Sequence, residues 1–117
     1  MARGAHRRRA GLAGVTPLPP GSTIGILGGG QLGRMSALAA AKLGYRCHVF
    51  APDPDGPAMQ VAAARTVAPY EDAAALAAFA AAVDVVTFEF ENVPAATLDI
   101  LAPLVPCRPG VESLRIG

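Results

Sequence analysis

The chain has 117 residues, 52% of them hydrophobic, with 10 Lys and Arg against 9 Asp and Glu, two Cys and no Trp. That length suits one domain able to bury a core without disulfides or metals, and no stretch approaches the roughly 18 uninterrupted apolar residues that cross a bilayer. The net charge of +1 is uneven: Arg3, Arg7, Arg8 and Arg9 give the first 22 residues +4, while six basic against nine acidic residues leave the rest at −3, which argues against a nucleic-acid-binding body.

Residues 1–22 carry those arginines with Pro17, Pro19 and Pro20, no acidic residue and no apolar period, and are expected to form a disordered basic arm. A transit peptide, a twin-arginine export signal and a basic tail for anionic surfaces are the sharper alternatives. The run AGLAGVTPLPP after Arg9 is too short and too broken by proline for the apolar core of an export signal.

From Thr23 the apolar run TIGIL breaks into Gly28, Gly29 and Gly30 and continues as QLGRMSALAAAKL, which reads as strand, tight turn and helix. Gly28, Gly30 and Gly33 fit the spacing G-x-G-x-x-G, in which glycines permit a sharp turn, close approach of a ligand and close packing of helix on sheet. The free N–H groups of the helix's first turn favour an anion, so a phosphate-bearing ligand is expected there. A turn with nothing bound is the plain alternative.

Gly44 is placed to end the helix as a left-handed residue, and YRCHVFA supplies a second, parallel strand. Cys47 and Cys107 lack C-x-x-C spacing and read as reduced packing residues; His48 reads as a core or edge histidine. Asp53 lies 20 residues beyond Gly33, where a dinucleotide-binding fold holds a ribose hydroxyl, yet it also sits between Pro52 and Pro54 in a turn that an Asp side chain caps. The pattern alone leaves both readings open. Pro57–Ala64 is expected to form a short helix, RTVA a brief strand, and Asp72–Val83 an alanine-rich helix capped by Asp72.

In DVVTFEFENV, Val85, Val86, Phe88 and Phe90 mark a buried strand, and Thr87, Glu89 and Glu91 alternate with the phenylalanines, so both glutamates share one face at its carboxyl end. Such a pair can bind a cation, bind an amine or hydroxyl, or share a proton; a solvated strand face is the plain alternative. Asn92 and Pro94 open a further helix through Leu101, and LVPCRP gives a last short strand. The whole is an α/β fold of Rossmann-like type, an open parallel sheet in three layers.

From Thr23 to Ile116 the sequence resembles the N-terminal, pre-ATP-grasp domain of the N5-carboxyaminoimidazole ribonucleotide synthases, ATP-grasp ligases of purine synthesis. IGILGGGQLGRM, YRCHVFAPDPDGPA, VAPYEDAAALAAFAAAVDVVTFEFENVP and LAPLVPCRPGVESLRI carry the resemblance, in that order. It implies that residues 23–117 are one such domain, without the ATP-grasp and C-terminal domains that hold ATP and Mg²⁺. It further implies an enzyme that activates bicarbonate with ATP as carboxyphosphate and carboxylates 5-aminoimidazole ribonucleotide, working as a cytoplasmic homodimer.

By the same resemblance Gln31, Leu32 and Glu89 contact the ribonucleotide, Gly28, Gly29, Gly30 and Gly33 form the loop beside it, and Glu91 and Asn92 are secondary candidates. No catalytic residue and no metal site is expected in this stretch, nor binding to nucleic acid or membrane, and the chain alone is expected to be inactive. Two other readings remain, a nicotinamide-dependent oxidoreductase domain and a non-catalytic fragment.

Overall fold

The computed structural model describes residues 18–88 and 93–109. Five parallel strands, β1 (Thr23–Leu27), β2 (Arg46–Ala51), β3 (Ala64–Val67), β4 (Val85–Phe88) and β5 (Cys107–Pro109), lie in the order β3-β2-β1-β4-β5. Helix α1 (Gln31–Lys42) and a single 3₁₀ turn (Pro57–Gln60) pack on one face, and α2 (Ala73–Ala82) and α3 (Ala95–Leu101) on the other. This is the expected three-layer α/β arrangement.

β1 is buried along its whole length, as a central parallel strand covered on both faces must be. Ile24 and Ile26 meet Ala37 and Ala40 of α1, whose small side chains bring that helix close. On the other face Phe50, Leu76 and Phe79 form the aromatic and aliphatic centre, each fully buried and each worth about 1.5–3 kcal/mol of transfer free energy. Gly25 is required there: a Cβ at that position would lie 2.6 Å from Cζ of Phe79.

Helix α1 ends as the sequence requires. Gly44 adopts φ +90°, its N–H donates to Ala41 O, and the Tyr45 N–H donates to Ala40 O, the paired bonds of a Schellman cap. Helix α2 is ten residues of Ala, Leu and Phe, and Asp72 accepts from the Ala75 N–H at 3.0 Å, an N-cap worth about 1 kcal/mol. The start of β4 is tied to β1 by a pair of bonds: the Asp84 carboxylate accepts from the Thr23 N–H at 2.8 Å, and the Asp84 N–H donates to Thr23 O at 2.8 Å.

Several boundaries differ from the expectation. The Pro57–Ala64 helix is only the turn Pro57–Gln60, because Val61 caps it on Ala58 O and the Ala63 N–H is already taken by Cys47 O of β2. β3 starts at Ala64 rather than Arg65, and β5 is confined to Cys107–Pro109. Residues 18–22 of the expected arm are fastened to the end of α1: the Tyr45 hydroxyl donates to Leu18 O at 2.7 Å and the Gly21 N–H to Gly44 O. The arginine-rich part of the arm, and Glu89, Glu91 and Asn92, lie outside the described residues.

Candidate functional site

The chain connects β1 to β2 through α1 over one face of the sheet and β4 to β5 through α3 over the other. The carboxyl ends of β1 and β4, which are neighbours, therefore feed connections that leave in opposite directions. A crevice opens at such a point. Here it is a cavity of about 440 Å³, lined by Gly28 to Gly33 in an unbroken run, by Ser36 one turn further along α1, and by Tyr70, Thr87 and Phe88.

The glycine turn is built by three separate constraints. Gly28 has φ +126°, a conformation that side chains resist. Gly33 lies under the Gly28 carbonyl so closely that any Cβ would overlap it, which brings the first turn of α1 down onto the end of β1. Gly30 has nothing within 4 Å of where a Cβ would stand, so its bareness leaves space rather than fitting a neighbour. Arg34 donates the first bond of the helix, to Gly30 O at 3.0 Å, and the N–H groups of Gln31, Leu32 and Gly33 have no acceptor within the helix. Gly30, as N-cap, supplies no side-chain acceptor, and no acidic residue occupies the first turn. The helix end thus offers three donors and its positive dipole to the cavity.

Gln31 and Leu32, which the resemblance assigns to the ribonucleotide, line this cavity, and both are exposed. Three lining hydroxyls escaped it. Ser36 lies four residues beyond Leu32 on α1, a spacing that places both on one helix face. Tyr70 is set by tertiary contacts: its ring stacks on Phe50 with centroids 6.1 Å apart, and Thr97 donates to its carbonyl at 2.8 Å. Burial raises the Tyr70 pKa, so its phenol remains a neutral hydrogen-bonding group. Thr87 is 2% exposed, and its Oγ1 is the one buried side-chain polar atom among the described residues without a hydrogen-bond partner. An orphaned buried hydroxyl costs about 1–3 kcal/mol.

Asp53 is not at the cavity. Its Oδ1 accepts from the Asp55 N–H at 2.9 Å, the self-capping turn that its flanking prolines suggested, and its side chain is exposed. His48 contacts Thr66 Oγ1 through Nε2 at 2.6 Å and meets the edge of the Phe79 ring, away from the cavity, and burial lowers its pKa. Cys47 and Cys107 are free thiols; burial pushes Cys47 up to about 11, and burial raises Cys107 against a smaller opposing effect of Arg108. Among the described residues no group of three or more His, Cys, Asp or Glu side chains is placed to hold a metal ion, and no helix is long and apolar enough to cross a membrane.

Residues 21–117 match the model of the ribonucleotide synthetase preATP-grasp domain. The chain belongs to that family. It is 54% identical over 102 residues to the N5-carboxyaminoimidazole ribonucleotide synthase of Brucella melitensis, covering 87% of this chain and 28% of that protein. It is 52% identical over 98 residues to a bifunctional purine synthesis protein of Dictyostelium discoideum, covering 84% of this chain and 10% of that protein. Among solved structures, the Staphylococcus aureus N5-carboxyaminoimidazole synthetase complexed with ADP superposes with a TM-score of 0.74 at 41% identity, over 84% of this chain and 27% of that one. The Aspergillus clavatus synthase in complex with ADP and 5-aminoimidazole ribonucleotide superposes at 0.65 and 33% identity, over 81% and 26%. The chain thus spans about a quarter of the Brucella protein and of both superposed structures.

Proposed function

We propose that this preATP-grasp domain forms one wall of the ribonucleotide site in an ATP-dependent ligase that carboxylates 5-aminoimidazole ribonucleotide with bicarbonate in purine biosynthesis. The cavity at the α1 N-terminus carries the reading: it offers backbone donors, an amide and hydroxyls to a sugar phosphate, in a chain similar to a synthase solved with that ribonucleotide. The loop N–H groups and Gln31 hold and orient the ligand, and Leu32 supplies an apolar contact at the rim. Glu89 follows Phe88 directly in sequence and accepts from the amine or a sugar hydroxyl, with Glu91 and Asn92 in secondary roles.

ATP and Mg²⁺, which activate bicarbonate, are assigned to other domains of a full-length, homodimeric cytoplasmic enzyme. The oxidoreductase reading is disfavoured because Asp53 spends its carboxylate on its own turn, outside the cavity.

The test is titration with 5-aminoimidazole ribonucleotide of the chain, and of the Brucella melitensis synthase with residues 21–117 replacing its matching segment. Binding and carboxylation that fall in Gln31→Ala and Glu89→Gln support the reading. Silence of both substitutions, or binding of NADH instead, refutes it.

A further inference from the structure

Thr87 stands apart from the rest of the cavity wall. It lies on β4, one strand over from Ile26 in register, and so on the α1 face of the sheet immediately beside the strand that runs into the glycine turn. Its Oγ1 is buried without a partner, whereas the neighbouring Asp84 and the Thr97 of α3 both place their side-chain oxygens in hydrogen bonds. A valine would fill the same volume, match Val85 and Val86 before it, and leave nothing unsatisfied.

The lining beside Thr87 includes the first turn of α1, with its unpaired N–H groups, and the hydroxyl of Ser36. Gln31, Ser36, Tyr70 and Thr87 are neutral polar side chains, and no described residue on the lining carries a charge. Neutral donors grouped at a helix N-terminus suit an oxygen-rich ligand.

We infer that Thr87 is a specificity-determining residue whose hydroxyl, at the buried side of the cavity, hydrogen-bonds an oxygen of a bound sugar phosphate. The inference rests on the ribonucleotide reading of the same cavity and adds a contact which that reading does not assign. Two sources of the oxygen share this chemistry, a ribose hydroxyl and the phosphate.

Thr87→Val and Thr87→Ser separate the outcomes, with melting temperature and ligand affinity measured on the full chain and on the Brucella melitensis hybrid. The expected result is opposite signs in Thr87→Val: unliganded stability equal or higher, because the orphan hydroxyl is gone, and affinity for 5-aminoimidazole ribonucleotide lower by roughly 3- to 10-fold. Thr87→Ser keeps affinity close to wild type. A penalty that persists with the phosphate-free riboside assigns the contact to a sugar oxygen, and one confined to the ribonucleotide assigns it to the phosphate. If Thr87→Val binds as wild type does, the inference is overturned while the ribonucleotide reading stands. If both variants lose stability and affinity together, Thr87 is a packing residue and the inference is again overturned. If wild type itself binds no ribonucleotide, the reading falls and the inference with it.

Discussion

Gly33 sits directly beneath the carbonyl of Gly28, with no room for a Cβ between them, so the third glycine of the motif fixes how closely α1 approaches β1. Gly33→Ala must push backbone aside and is expected to destabilise by about 1–3 kcal/mol. Gly30→Ala meets nothing within 4 Å and is expected to change stability by less than about 0.5 kcal/mol while weakening ligand binding at the helix end. Thermal melts of the two variants beside a ribonucleotide titration check this. Equal melting temperatures would show that the glycines are interchangeable.

Asp84 is 4% exposed and its carboxylate accepts from the backbone of β1 at the edge opposite the cavity. Asp84→Ala leaves the Thr23 N–H without that acceptor, and a loss of about 1.5–3 kcal/mol is expected in urea unfolding, in line with hydrogen bonds to charged groups. Ligand affinity, where the fold persists, should not change.

The Cys47 thiol is raised from 9.0 to about 11 by burial, so the folded chain holds its proton more tightly than the unfolded chain does. Its contribution to stability is complete below pH 9 and is lost as pH rises toward 11. Unfolding midpoints should fall across that window in wild type and less steeply in Cys47→Ala. Alkylation at pH 8 should be slow until the chain is unfolded.

His48 behaves in the opposite sense. Burial lowers its pKa from 6.5, so the folded state resists protonation, and the stability it contributes is present above pH 6.5 and lost as pH falls below. A shallower acid limb in His48→Gln, measured by denaturation between pH 7 and pH 4.5, is the expected outcome.

Glu89, rather than Glu91, is expected to bind the ribonucleotide. A charge-assisted bond of roughly 1.5–3 kcal/mol corresponds to about 10- to 150-fold in affinity, so Glu89→Gln in the Brucella melitensis hybrid should fall in that range. A silent Glu89→Gln beside a damaging Glu91→Gln would reverse the assignment.

Much of this was legible because local chemistry and tertiary structure agree. The β-branched run into Gly28, the Gly44 stop and the Asp72 cap are local signals, and each acts as read. The Pro57 segment is shorter than its sequence suggests because proline at a helix start says nothing about length, and here Cys47 O of β2 captures the Ala63 N–H. Tyr70 was invisible for a different reason: it enters the cavity from the loop after β3, held by Phe50 and by Thr97 from 27 residues away, and no spacing rule encodes that. Thr87 had a usable signal in its alternation with Glu89, but only its missing partner distinguishes it from a packing threonine.

The cavity exists because the chain leaves β1 and β4 toward opposite faces, and the side chains merely furnish it. Scaffold and recognition are therefore separable in inheritance. The strands, the glycines of the turn and the buried faces of α1 and α2 bear the folding free energy, whereas Gln31 and Leu32, exposed on the first turn of α1, can be exchanged at little cost to the core. A domain of this plan can change the ligand it accepts by substitutions at one sheet edge, with no redesign of the fold beneath.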